Sequence, residues 1–428
     1  MRRVVWVFLA LGVLWSTPAF AVCDQTFTTA SSNATIAAAI KAAPNDTTIC
    51  LDSGTYAGNM DVFSGTRTGY VTITSTTGRG AILKPRIGAM HYTRWTELTF
   101  TGVLVNSCSR HNQFINFTMV EASGQGFDTD GSTCLTTDLD LLIDGGTFHR
   151  VSMGVNTGGL NFKYVRDTQL TNSTFTGGGD TGADYIQFQG NSTVEIGPNN
   201  SFSGLLQADC SVSSPGSHCD AIQIAGSTTG YYWFHGNYFA NGDTFILAPD
   251  RTGNILIEDN VFNGCGVAYA HKFQVNPIVG AVIRHNTFAD VRVSVDSKLI
   301  WPASEDVLAE NNIIYDCGSN SETGWKTIGG NGCIDCTFRY TLAGDVDAYL
   351  TDTNCTNCSF GTGDIVATPV FVGGATPNTW AGWELAAASP GDGAATDGFD
   401  IGSRFVGGEV DIPGVTPGTP ANRGRFRR

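Results

Sequence analysis

Residues 217 to 226 read SHCDAIQIAG. His218, Asp220 and Gln223 are side chains that bind or transform ligands. They sit among Ala221, Ile222 and Ile224, which favour burial. A general acid or base must be held at a fixed point to act, and a strand can hold it. Alternation sends Ile222 and Ile224 to one side and Gln223 to the other. Asp220 precedes the strand and is expected to turn outward at the bend.

Two neighbouring stretches repeat the pattern. GADYIQF, HCDAIQI and NGDTFIL align without gaps and place Asp184, Asp220 and Asp243 in one column. Three positions on, the column reads Gln187, Gln223, Ile246, Lys272 and Lys298, with His271 beside it. Asp220, His218, Lys272 and Asp243 are the candidate catalytic groups, and Gln223, Gln187, His271 and Lys298 the candidate substrate-binding groups. Carboxylates one coil apart approach the separation of a retaining glycosidase, and two coils apart that of an inverting one. Alternatively, Asp184, Asp220 and Asp243 hold calcium through oxygen ligands. Lys272 or His271 then removes the proton α to a uronate carboxylate in a β-elimination. A structural reading competes with both. Asp before a strand caps its own turn, stacked Gln forms a surface ladder, and adjacent carboxylates repel without a cation or proton between them.

The element that positions these groups is a repeat. GPNNSF, FHGNYF, IEDNVF, IRHNTF and AENNII carry an Asn two residues before an aromatic or aliphatic residue. With Phe148 and Phe175, the ends fall at Phe202, Phe239, Phe262, Phe288 and Ile314, in steps of 27, 27, 37, 23, 26 and 26 residues. Each period holds short β-branched and aromatic runs split by Gly, Asn and Asp, which suits a β-solenoid with about 26 residues per coil. The Phe residues form an inward column, and Asn200, Asn237, Asn260, Asn286 and Asn312 a bend column, since Asn tolerates left-handed backbone. The oversize step inserts its extra residues just before His218, where Cys210 and Cys219 can pin the loop. Helical spacing through Ile36, Ile40 and Ala43 predicts a short helix capping the first coil. The expected division is a signal peptide over 1–21, an N-terminal cap over 22–49, the solenoid over 50–360, a C-terminal cap over 361–413 and a basic Gly/Pro tail over 414–428.

Arg2 and Arg3, an apolar run to Trp15, and Ala19-Phe20-Ala21 form the signal for export. The protein is therefore expected outside the cell or in the periplasm, with no membrane span and as a monomer. Six of its 24 Lys+Arg lie in the first three or last six residues, leaving 18 against 39 Asp+Glu, a net of −21. Such a body disfavours nucleic acid, and a polyanionic substrate needs a local basic patch. Twelve cysteines in an exported chain imply disulfides. Cys23/Cys50, Cys108/Cys134 and Cys210/Cys219 are plausible pairs. Cys333, Cys336, Cys355 and Cys358 have either zinc-ribbon spacing or form stacked disulfides. Cys265 and Cys317 fall two coils apart, too far for a mutual bridge.

The Asn ladder, the helix followed by DSGTY, and the segment PVFVG…WEL…ASPGDG…DGFDIG resemble the pectin-lyase-like superfamily. The resemblance covers roughly residues 30 to 403. It implies an all-β, single-stranded right-handed parallel β-helix, whose relatives include polysaccharide lyases, glycoside hydrolases, epimerases, tailspikes and adhesins. It implies a polysaccharide as partner. HCDAIQ is similar to the Asp-Gly-Ile-Asp element of polygalacturonases, and that similarity maps a catalytic Asp onto Asp220. Gln223 replaces the second acid, and the chain has no adjacent Asp-Asp pair, Gly-His-Gly or Arg-Ile-Lys. A non-catalytic glycan-binding solenoid is the alternative.

Overall fold

The computed structural model describes residues 22–65, 67–106, 108–120, 126–130, 140–149, 160–177, 184–190, 193–205, 220–225, 230–242, 244–248, 255–265, 272–275, 279–289, 291, 304–315, 334–344 and 356–404. The expected signal peptide and basic tail lie outside these ranges, as do His218, Asp243, His271 and Lys298. So do Cys134, Cys210, Cys219, Cys317, Cys333 and Cys355.

The chain is an all-β, right-handed parallel solenoid with one helix near its N-terminus. Its first face is a fourteen-stranded parallel ladder running from Gln25–Phe27 to Ser359–Thr362. A two-residue bend leads to the second face, and a corner beyond that to the third. The second and third faces diverge after the long strand Ala81–Met90, which pairs through its first part with Thr99–Phe100 and through its later part with Val103–Asn106. The helix Asn33–Ala42 begins at Ser32, whose hydroxyl accepts the Thr35 N–H, and buries Ile36, Ala37 and Ile40. It closes the first coil, as its apolar spacing predicts.

The register confirms the repeat. Phe148, Phe175, Phe202, Phe239, Phe262 and Phe288 pair in succession across the second face. Their rings stack with centroids 4.4 to 4.9 Å apart. The bend column is also present, with one correction. The left-handed residue is the one before each ladder Asn: Asn199, Asp259, His285 and Asn311 have φ of 65°, 56°, 52° and 57°, and Gly236 has 58°. The ladder Asn residues are buried instead and satisfy the bend. Each amide donates to the next Asn Oδ1: Asn200 to Asn237 at 2.9 Å, Asn237 to Asn260 at 2.8 Å, Asn260 to Asn286 at 3.0 Å and Asn286 to Asn312 at 3.1 Å.

Cys23 and Cys50 form a disulfide with Cα atoms 5.6 Å apart. Cys108, Cys265, Cys336 and Cys358 are also disulfide-bonded, so Cys336 and Cys358 are not thiolate ligands for zinc. Cys265 follows a strand that keeps the expected two-coil register to Tyr315, while Cys317 itself is outside the described residues.

The segment from Phe371 to Arg404 folds back along the side of the solenoid. Phe371, Trp383, Leu385 and Ile401 pack on Val261, Ile313, Tyr315 and Leu342 of the second face. Arg404 fastens the strap, giving Nε to Asp259 Oδ1 at 2.8 Å, Nη2 to Asp259 Oδ2 at 3.0 Å and Nη1 to Asp397 Oδ2 at 3.0 Å. His285 Nε2 lies 3.1 Å from Asp397 Oδ2. Burial, and then the Arg404 charge, hold the His285 pKa below the usual imidazole value, with Asp259 and Asp397 acting the other way. The unfolded histidine takes up its proton near pH 6.5, before the folded one. Stability contributed by neutral His285 is therefore complete above about pH 6.5 and falls as the pH drops below that value. Melting temperatures measured from pH 7.5 to 5 should decline for the native protein and decline less for His285→Gln. Parallel profiles would remove His285 as the cause.

Candidate functional site

The three faces differ in what they offer a ligand. The second is covered over its later coils by the C-terminal strap. The later coils of the first are internally neutralised. Glu258 meets Arg284 at 2.6 Å and the Trp233 indole at 2.9 Å, Glu310 meets Arg339 at 2.8 Å, and Glu195 meets His235 at 3.2 Å. Trp233 stacks on His235 at 4.0 Å, and burial, then Glu258, push the Tyr231 phenol up to about 12.

The third face is different. One register column along it runs Arg86, Leu104, Asp128, Asn161, Gln187, Gln223, Leu247, Gln274. Beside it run Asp130, Lys163, Gln189 and Ala225. The amides bond along the column. Asn161 Nδ2 donates to Asp128 Oδ1 at 3.0 Å, Gln187 Nε2 to Gln223 Oε1 at 2.5 Å, and Gln189 Nε2 to Gln187 Oε1 at 2.8 Å. Leu160, Phe162, Ile186, Phe188, Ile222 and Ile224 fill the core by period-2 alternation. Of the amides on the other side of these strands, Asn161 and Gln187 are themselves buried, at 0% and 7% exposure, while Gln223 and Gln189 are partly exposed.

Gln187 and Gln223 are thus brought together as expected. Asp184 and Asp220 also share a column, with the Asp220 N–H donating to Asp184 Oδ1 at 2.9 Å and the Tyr185 N–H to the Asp220 carbonyl at 3.0 Å. Three expectations change. Asp220 does not turn outward: it is 0% exposed, and Asp184 is 8% exposed. The strand begins at Asp220 itself, so alternation puts its side chain on the side of Ile222 and Ile224. Next, Thr244, not Asp243, pairs with Asp220, and Leu247, not Ile246, with Gln223. Slipping by one residue would have turned buried Ile246 to solvent. Finally, Lys272 pairs with Thr244 across a bulge and leaves the Gln column, where Gln274 takes its place.

Asp128, Asn161 and Lys163 were missed. Their signal was present in LNFK, which matches YIQFQ with Asn161 in the place of Gln187, but the Asn-x-Phe alignment weakens upstream of Phe175. Among the described residues no three His, Cys, Asp or Glu side chains converge as metal ligands. Chemically, the face presents amide donors and acceptors suited to hydroxyl and carboxylate groups, with Lys163 on its rim and two buried carboxylates at its edge.

No protein-family model matches the chain. The curated proteins contain no match. Among solved structures, the chain is similar to a substituted form of the family 6 alginate lyase AlyGC, with 13% identity over 90% of this chain and a TM-score of 0.54. It spans 59% of that enzyme's length. A second family 6 alginate lyase, solved with a trisaccharide, gives 12% identity over 90% of this chain and 95% of its own, with a TM-score of 0.46. A pectate lyase, Pel9A, gives 14% identity over 90% and 96%, with a TM-score of 0.34. The ladders described above and the likeness to the first of these structures agree on the architecture: the chain has a right-handed parallel β-helix fold.

Proposed function

We propose that the protein is an exported polysaccharide lyase that holds a uronate-containing chain across the third face and cleaves it by β-elimination. The observation that carries this reading is the in-register amide column Asn161, Gln187, Gln223, of which Gln223 and the neighbouring Gln189 are partly exposed. A solved structure that shares this fold, at a TM-score of 0.54, is an alginate lyase. The disulfides support action outside the cytoplasm.

In this reading the amides bind sugar hydroxyls and the uronate carboxylate. Lys272, in register with Thr244 and through it with Asp220, removes the proton α to that carboxylate. The electrons form the C4–C5 double bond, and the glycosidic oxygen leaves with a proton. Asp220 and Asp184 set the local field. They are also the carboxylates that would hold calcium. Their burial and their shared backbone hydrogen bond favour the second reading, a non-catalytic glycan-binding solenoid in which both only shape the turn.

A panel of polyuronates and neutral glycans separates these readings. The expected result is release of unsaturated products absorbing at 235 nm from at least one polyuronate. Lys272→Ala should lower turnover about 10²-fold or more while substrate binding is partly retained. Reducing ends without 235-nm absorbance would establish hydrolysis instead, and binding without either product would establish the non-catalytic reading. EDTA that abolishes release assigns calcium a role, and EDTA without effect removes it.

A further inference from the structure

The basic residues are unevenly distributed. Residues 61 to 115 contain six Lys+Arg and two Asp+Glu, in a body that is otherwise strongly acidic. Downstream arginines are consumed by carboxylates: Arg284 by Glu258, Arg339 by Glu310, and Arg404 by Asp259 and Asp397. Upstream, Arg94 and Arg110 form no ion pair among the described residues. Arg94 gives Nε to Gln113 Oε1 at 2.8 Å and lies over the Tyr70 ring at 4.7 Å. Both arginines are half-buried and reach solvent.

Aromatic rings line the same corner, where the third face turns into the first. The residue three before the in-register Ile49, Ile73, Trp95, Phe114, Ile143 and Leu170 reads Asp46, Tyr70, Tyr92, His111, Asp140 and Asp167 in successive coils, and the same corner later carries Gly280, Asp306, Asp335 and Asn357. Asp, Asn and Gly suit the left-handed backbone this corner requires. Tyr92 and His111 adopt it too, with φ of 54° and 55°, at a cost of about 1 kcal/mol each. Tyr92 stacks on His111 at 4.3 Å and meets Tyr70 edge-on at 5.5 Å. His91, paired with Arg110 across the corner, has its pKa lowered by burial and then by Arg110 and His111, so the positive field is felt locally. Asp140 offsets only His111, at 2.6 Å, and is 52% exposed.

Uncompensated guanidinium groups recognise carboxylate or sulfate, and flat rings pack on sugar faces. We propose that Tyr92, Arg94, Arg110 and His111 form a binding surface for a polyanionic polysaccharide, separate from the amide column of the third face. Two arginines without ion pairs among the described residues, on a chain whose body carries a net of −21, give the patch a local attraction for such a polymer. This proposal needs only anion binding, so it stands or falls independently of lyase activity.

Affinity electrophoresis of the full chain tests it, in gels containing polygalacturonate, alginate, heparin or a neutral glucan. The protein should be retarded by a carboxylated or sulfated polymer but not by the glucan, and less so as salt is raised. The carboxylated and sulfated gels distinguish the two sources of anion. Arg94→Gln/Arg110→Gln should weaken retardation roughly tenfold or more, with an unchanged melting temperature. Arg339→Gln, which removes a paired arginine of the first face, should bind like the native chain. Equal retardation of the double variant, equal retardation by the glucan, or a preference for single-stranded DNA over every polysaccharide would each overturn the proposal. Retardation with no 235-nm product would uphold it while removing the lyase reading.

Discussion

Asn260→Ala should lower the unfolding free energy by about 3–5 kcal/mol, an effect larger than most single substitutions produce. Asn260 is 0% exposed and lies mid-ladder. Its amide donates to the carbonyls of Phe234 and Glu258, both at 2.9 Å, and to Asn286 Oδ1 at 3.0 Å. Its Oδ1 accepts the Asn237 backbone N–H at 3.0 Å and the Asn237 amide at 2.8 Å. Alanine leaves these groups in a buried bend without their partner. Each buried orphan costs about 1–3 kcal/mol. Asn260→Asp should be no better, because a carboxylate cannot donate to the two carbonyls. Asn199→Ala is the control: Asn199 is exposed and adopts φ 65°, so only a modest change is expected there. Urea unfolding at constant m-value would measure all three. A change below about 1 kcal/mol for Asn260→Ala would mean the ladder is decoration.

Asp220→Asn should reduce turnover on the responsive polyuronate by about 10²- to 10⁴-fold if Asp220 acts in the reaction. The substitution isolates charge. The Asp220 N–H to Asp184 and the Asp220 carbonyl to Tyr185 are backbone bonds and survive it. A purely structural Asp220 produces the reverse: unchanged turnover per folded molecule and a loss of about 1–3 kcal/mol, because the side chain is buried. Activity should therefore be normalised to the folded fraction. Unchanged turnover would move the reacting groups to other residues of the third face, with Lys163 the first to substitute.

Sequence alone determined the solenoid, its 26-residue period, the Phe stack, the Asn ladder and the capping helix. Each is a column built from one residue type repeated at the period, and stacking identical coils turns that repetition directly into contact. The Gln187–Gln223 pairing followed from the same logic, since Ile186-Gln187-Phe188 and Ile222-Gln223-Ile224 match residue for residue. The tertiary structure decided the rest. Ungapped alignment set Asp243 opposite Asp220, but strand pairing is set by which side chains the core accepts, and Ile246 had to face inward opposite Ile222. Asp220 was read as part of a bend, yet hydrogen bonding to the Asp184 coil starts the strand at that residue and turns its carboxylate away from solvent. Nor could any local pattern disclose that Arg404 reaches back 145 residues to Asp259, or that Arg94 and Arg110 lack the carboxylates their downstream counterparts have. Those facts depend on which coils become neighbours and which side chains meet at their corners, and charge compensation exists only between groups that the fold has already brought within a few ångströms.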